Sequence, residues 1–175
     1  MSGTLTLRNR HRARRVDLRF LRRIARALLR DAQPNAGFDL GVYLVAAPEM
    51  TRLNETFLQH KGSTDVITFN YTEPPGQPCL HGEIFICLDE AVSQARRFHT
   101  TWQSELVRYV VHGVLHLLGY DDQDTRARRK MRTAENALVG RLAREFAFRG
   151  LQPPRTGSRT RQHAEMGNRQ KHQQN

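Results

Sequence analysis

The chain has 175 residues, 38% hydrophobic and 26% charged, and carries a formal net charge of +11. That length suits one ordinary domain with a real core. No apolar run is long enough to cross a bilayer and no apolar signal core follows the basic N-terminus, so a cytoplasmic protein with no membrane span is expected. Such a charge favours an anionic partner, nucleic acid ahead of an acidic membrane surface. Cys79 and Cys87 have no CxxC spacing and are expected to be small buried residues in a reducing compartment.

Thr4 to Leu7 alternates polar and apolar residues and predicts a short first strand. Arg8 to Arg15 is a basic run. From Asp17 onward, Leu18, Leu21, Ile24, Ala25 and Leu28 recur at helical spacing with arginines on the other face. Gln33 to Gly37 ends that helix, and Phe38 to Ala46 reads as a second strand. Pro48 suits the first turn of a helix running through Met50, Leu53, Asn54 and Phe57.

A polar loop from His60 to Ser63 precedes a third strand, Val66 to Tyr71. Glu73 to Pro78 is a Pro-Gly loop, His81 to Cys87 a fourth strand, and Leu88 to Phe98 a helix. Another helix starts near Thr100 to Ser104, and a last one, about Thr125 to Phe148, carries Met131, Ala134, Leu138, Leu142 and Phe146 at helical spacing. From Gln152 apolar residues almost vanish, and such a segment cannot bury enough surface to offset the entropy of ordering it. The expectation is a single α/β (α+β) domain over residues 1–150, with a mixed sheet of about four strands packed with helices. Residues 151–175 are expected to form a basic, disordered tail.

The most informative stretch is Tyr109 to Asp122. His112 and His116 are four apart, so a helix puts both imidazoles on one face, where they can share a metal ion. Leu106, Val107, Val110, Val111, Val114, Leu115, Leu117 and Leu118 make the helix apolar nearly all round, which marks it as buried and central. Glu105, Arg108, His112 and His116 form its one polar stripe, so the histidines must face a cleft. Gly119 supplies a stop. Asp121, Asp122 and Asp124 follow at once as candidates for a third ligand. Zinc suits such donors best, and three protein ligands would leave a fourth position open, the layout of a catalytic site.

The segment His112-Gly113-Val114-Leu115-His116-Leu117-Leu118-Gly119-Tyr120-Asp121-Asp122 resembles the signature of the YbeY-type endoribonucleases, zinc-dependent bacterial rRNA maturation factors. Leu53-Asn54, Thr64-Asp65-Val66-Ile67-Thr68-Phe69 and Gly82-Glu83-Ile84-Phe85-Ile86-Cys87 are similar to its other segments, and order and spacing agree over roughly residues 38 to 145. The resemblance implies one zinc ion, an rRNA substrate and association with the small ribosomal subunit. It departs in two places. The family's third zinc histidine falls on Asp122, whose charge would weaken the ion as a Lewis acid. Asp122 is the first choice of third ligand, Asp124 or Asp121 the second. The family's arginine after Leu-Asn falls on Leu58, which cannot contact a phosphate; His60 and Lys61 offer positive charge nearby but no guanidinium fork.

Gly113 stands where zinc proteases of the His-Glu-x-x-His type carry their base, which argues against peptide hydrolysis. Hydrolysis of RNA phosphodiester bonds is the preferred reading, with His112, His116 and Asp122 holding zinc. Asp121, Asp124 and His60 are candidate acid–base groups, and Glu105 and Arg108 candidate supports behind the histidines. Arg8, Arg10, Arg12, Arg14, Arg15 and Lys61, with Arg19, Arg22, Arg23, Arg26 and Arg30 on the first helix, are the candidate RNA contacts. Two other classes compete. One is a non-catalytic ribosome-assembly factor with a structural or vestigial metal, which Leu58 and Asp122 favour. The other is a metal hydrolase of small anions, against which the charge excess speaks.

Overall fold

The computed structural model of the protein describes residues 3–34, 36–72 and 79–153. In chain order it contains β1 (Gly3–Asn9), α1 (Leu18–Ala32), β2 (Gly37–Val45), α2 (Ala47–Leu53), β3 (Val66–Asn70) and β4 (Cys79–Cys87). Three longer helices follow: α3 (Leu88–Arg97), α4 (Trp102–Leu117) and α5 (Thr125–Glu145), with a final 3-10 turn at Phe148–Leu151. The strands form one mixed sheet in the order β1-β2-β4-β3. β1, β2 and β4 run parallel, while β3 lies antiparallel to β4 with Val66 opposite Ile86 and Asn70 opposite Gly82. This is the α/β fold with four strands that the residue patterns predict.

Strand alternation divides the sheet's side chains between two faces. Leu5, Leu7, Leu40, Val42, Leu44, Ile84 and Ile86 join Leu21, Ile24 and Leu28 of α1 and the apolar residues of α4 in the main core. On the other face Val45, Ile67, Phe85 and Cys87 pack with Met50 of α2 in a smaller cluster. α4 is the central element: Leu106, Val107, Val110, Val111, Val114 and Leu115 are 0–2% exposed. At about 1.5–3 kcal/mol for each fully buried aliphatic side chain, this helix anchors the fold. It lies close on β4, because a Cβ on Gly113 would come within 2.6 Å of the Ile84 side chain.

Local chemistry sets the helix ends. Asp17 caps α1, accepting from the amides of Arg19 and Phe20, and Thr101 caps α4, accepting from Ser104 N. α4 stops at Gly119, whose φ of +86° is the left-handed conformation that glycine adopts without strain. Gly119 N donates to His116 O at 2.9 Å and Tyr120 N to Leu115 O at 3.0 Å, the paired bonds of a Schellman turn.

Several expectations need correcting. The helix predicted through Phe57 is regular only to Leu53; Asn54–Leu58 form a π turn that ends at Gln59 in a left-handed conformation. The wider turn shifts the angular register, and Phe57 lies 58% exposed. Buried Asn54 donates to Gly62 O at 2.9 Å and so ties down the loop that follows. α5 ends at Glu145, not at Phe148. The core then reaches one residue past the expected boundary, since Leu151 is fully buried and its carbonyl accepts from Asp17 N. Cys79 is exposed, not buried; Cys87 is buried, and both are free thiols. The Glu73–Pro78 loop, Asn35 and the tail from residue 154 lie outside the described residues. Among the described residues no helix is long and apolar enough to cross a membrane.

Candidate metal centre

His112 and His116 project from the last two turns of α4, and the helical spacing brings their Nε2 atoms to 3.0 Å of each other. The Nδ1 atoms are occupied elsewhere. Glu135 Oε2 of α5 lies 3.0 Å from His112 Nδ1, and Tyr120 O lies 3.1 Å from His116 Nδ1. A carboxylate and a carbonyl can only accept, so each Nδ1 carries the proton and each Nε2 is left with its lone pair. Two bare lone pairs at that distance repel, so the pair must hold a shared proton or a cation. Asp122 Oδ2 completes the set, 3.9 Å from His112 Nε2 and 4.0 Å from His116 Nε2. The three ligand atoms lie within 4.8 Å of one another. Two imidazoles and a carboxylate in this arrangement fit a zinc-like ion.

The turn after α4 builds half of this geometry. The Gly119 reversal carries Tyr120 O back over the His116 ring and starts the loop that delivers Asp122. Arg128 of α5 holds that loop from outside, Nε donating to Asp122 O at 3.1 Å and Nη2 to Gln123 O at 3.4 Å. α5 supplies the rest. Glu135, which is buried, also accepts from Arg108 Nη1. Burial pushes the Glu135 carboxyl upward, but the hydrogen bonds from His112 and Arg108 outweigh it and hold the group below its ordinary value. For His112 burial favours the neutral ring, yet the Glu135 bond and the charges of Glu135, Asp65 and Asp122 raise its pKa above the usual histidine value. The same negative surroundings attract a metal cation.

A pocket opens beside these groups, lined by Asp65, Arg108, Tyr109, His112, Asp122, Arg128, Met131, Arg132 and Glu135, with a volume near 220 Å³. Asp65 enters it from the start of β3. Its Oδ1 accepts from Val66 N at 2.9 Å and Thr64 Oγ1 at 3.2 Å, which leaves Oδ2 uncommitted. The Tyr109 hydroxyl is buried and has no hydrogen-bond partner among the described residues.

The other residues singled out in the sequence are engaged elsewhere. Asp121 Oδ1 accepts from the amides of Asp122 and Gln123, and Asp124 caps α5 through Ala127 N; neither lines the pocket. His60 and Lys61 are exposed on the loop after the π turn, and Leu58 is 45% exposed. Glu105, expected behind the histidines, instead accepts from the Thr100 hydroxyl at the far end of α4, whereas Arg108 does stand behind His112, through Glu135. The arginines near the N-terminus are partly spent on structure: Arg10 pairs with Glu49, Arg14 lies over Trp102, Arg22 donates to Leu5 O, and Arg23 covers Phe20 and Phe146. Arg30 pairs with Asp31 and Glu145, while Arg8, Arg12, Arg15, Arg19 and Arg26 are exposed. None of them lines the pocket. Glu135, Asp65, Arg128 and Arg132 were missed as site residues. Two of these had a readable signal: Glu135 lies four residues after Met131 on the stripe of α5 that turns inward, and Asp65 stands within the Thr64–Phe69 segment that carries the resemblance.

The model of the family described as Endoribonuclease YbeY matches residues 6–143. A Salinibacter ruber protein named Endoribonuclease YbeY is 33% identical over 141 residues, covering 77% of this chain and 89% of the relative. An Anaeromyxobacter protein of the same name is 36% identical over 148 residues, 81% of this chain and 77% of its own. The fold is similar to the solution structure of TM1509 from Thermotoga maritima, with a TM-score of 0.54 and 24% identity, covering 81% of this chain and 93% of that one. With its histidine pair and most of its core inside the matched region, the chain belongs to the Endoribonuclease YbeY family.

Proposed function

We propose that this protein is a zinc-dependent endoribonuclease that hydrolyses phosphodiester bonds of rRNA during its maturation, working in the cytoplasm on the small ribosomal subunit. The observation that carries the reading is the convergence of the two Nε2 atoms and Asp122 Oδ2 while both Nδ1 atoms are held by acceptors. A bound zinc ion would supply a Lewis acid for a phosphate oxygen and a more acidic water. The protein's own groups do the rest. Glu135 fixes the His112 tautomer and ring orientation, and Tyr120 O fixes those of His116. Asp65 replaces Asp121 and Asp124 as the acid–base group, because it lines the pocket and keeps Oδ2 open to take a proton from the attacking oxygen. The cationic surface attracts the RNA backbone.

The test is metal content and cleavage together. The purified protein is expected to carry close to one equivalent of zinc and to cut rRNA in a chelator-sensitive way, and His116→Ala is expected to lose both. A second reading, a ribosome-assembly factor without catalysis, draws support from Leu58, which offers an exposed apolar side chain where the family has a guanidinium. RNA binding that ignores the chelator, with no cleavage, would establish it.

A further inference from the structure

The pocket beside the metal residues contains three guanidinium groups, and their commitments differ. Arg108 is neutralised by Glu135 and also donates to Asn136 Oδ1. Arg128 spends Nε and Nη2 on the loop carbonyls of Asp122 and Gln123, which leaves Nη1 for something else. Arg132 pairs with no carboxylate among the described residues, yet it lines the pocket. Arg128 and Arg132 are four apart on α5, so they stand one above the other along the pocket wall. Tyr109 lines the same pocket with its ring, its hydroxyl being enclosed. Donors gathered beside a metal-ligand set call for an anionic ligand with several acceptor oxygens.

We propose that Arg132, assisted by Arg128, binds an RNA backbone phosphate next to the candidate metal ligands. This rests on the nuclease reading and names how its substrate is held. A guanidinium meets phosphate oxygens through two parallel N–H bonds, which an ammonium cannot reproduce. Arg132 is exposed, so its replacement leaves the core intact. Arg128 is a poorer probe because it also positions Asp122.

The experiment compares Arg132→Ala, Arg132→Lys and Arg126→Ala in the full chain as purified. Arg126 is the control: it is exposed on the same helix but lies outside the pocket. Binding of a cleavage-resistant 2′-O-methyl single-stranded oligoribonucleotide is followed by anisotropy over a salt series. Arg132→Ala is expected to weaken binding about tenfold and to flatten the salt slope by about one. Arg132→Lys should recover part of the loss, and Arg126→Ala should cost only about twofold. In cleavage assays Arg132→Ala should raise KM more than it lowers kcat. Equal losses for Arg132→Ala and Arg126→Ala overturn the proposal. If that happens while zinc-dependent cleavage persists, the nuclease reading stands without this site. If Arg132→Ala loses binding but the wild type neither holds zinc nor cleaves, the phosphate site stands and the nuclease reading falls.

Discussion

Glu135 shows how one buried carboxylate can set the chemistry of a candidate metal ligand that it does not replace. It accepts from His112 on one side and Arg108 on the other, so its charge is balanced and the imidazole is held with Nε2 forward. Glu135→Gln keeps the shape but removes the charge. Metal affinity is expected to fall by about tenfold or more in a competition titration with a chelator; an unchanged affinity would show that the ring is positioned without it. Tyr109 makes the opposite kind of contribution. A buried hydroxyl without a partner is destabilising. Tyr109→Phe is therefore expected to raise the melting temperature slightly, corresponding to about 1 kcal/mol. A lower melting temperature would show that the hydroxyl has a structural partner.

At the scale of elements, α4 and the turn that ends it form one device. Gly113 lets the helix lie against Ile84, and Gly119 at φ +86° turns the chain back over His116. Gly113→Ala overpacks that contact and is expected to cost about 1–3 kcal/mol, read as a lower melting temperature. Gly119→Ala forces a Cβ into left-handed backbone at roughly 1–2 kcal/mol. Unlike Gly113→Ala, it should also weaken metal binding, because Tyr120 O and Asp122 both depend on the turn. Equal metal affinity in Gly119→Ala and the wild type would disconnect the turn from the site.

Across the whole molecule, Asp89 ties distant segments together at the carboxyl ends of the parallel strands. Its Oδ2 accepts from Ala47 N at the start of α2, and its Oδ1 pairs with His11 in the loop after β1. Burial alone would raise its pKa, but the Ala47 amide, His11 and Arg14 lower it below the ordinary aspartate value. A folded pKa below the unfolded one gives stability that is present above the unfolded value, about 3.9, and lost as the pH falls through the folded one. The gap in urea midpoint between wild type and Asp89→Asn should therefore be full near neutral pH and close in acid. A gap that stays constant would remove the charge from the account.

The sequence by itself determined what depends on neighbours along the chain. Periodicity two and periodicity 3.6 located the four strands and the main helices, Asp17 and Gly119 marked helix ends, and the spacing of His112 and His116 placed two imidazoles on one face. The tertiary structure decided what depends on through-space packing. It set Asp122, and not its acidic neighbours, within 4.0 Å of both imidazoles, brought Glu135 and Asp65 to the same pocket, opened the π turn, and set Arg132 on the pocket wall. The physical reason is that side-chain pattern reports which face of an element is buried, whereas the partner across that face is fixed only when helix meets helix and helix meets sheet.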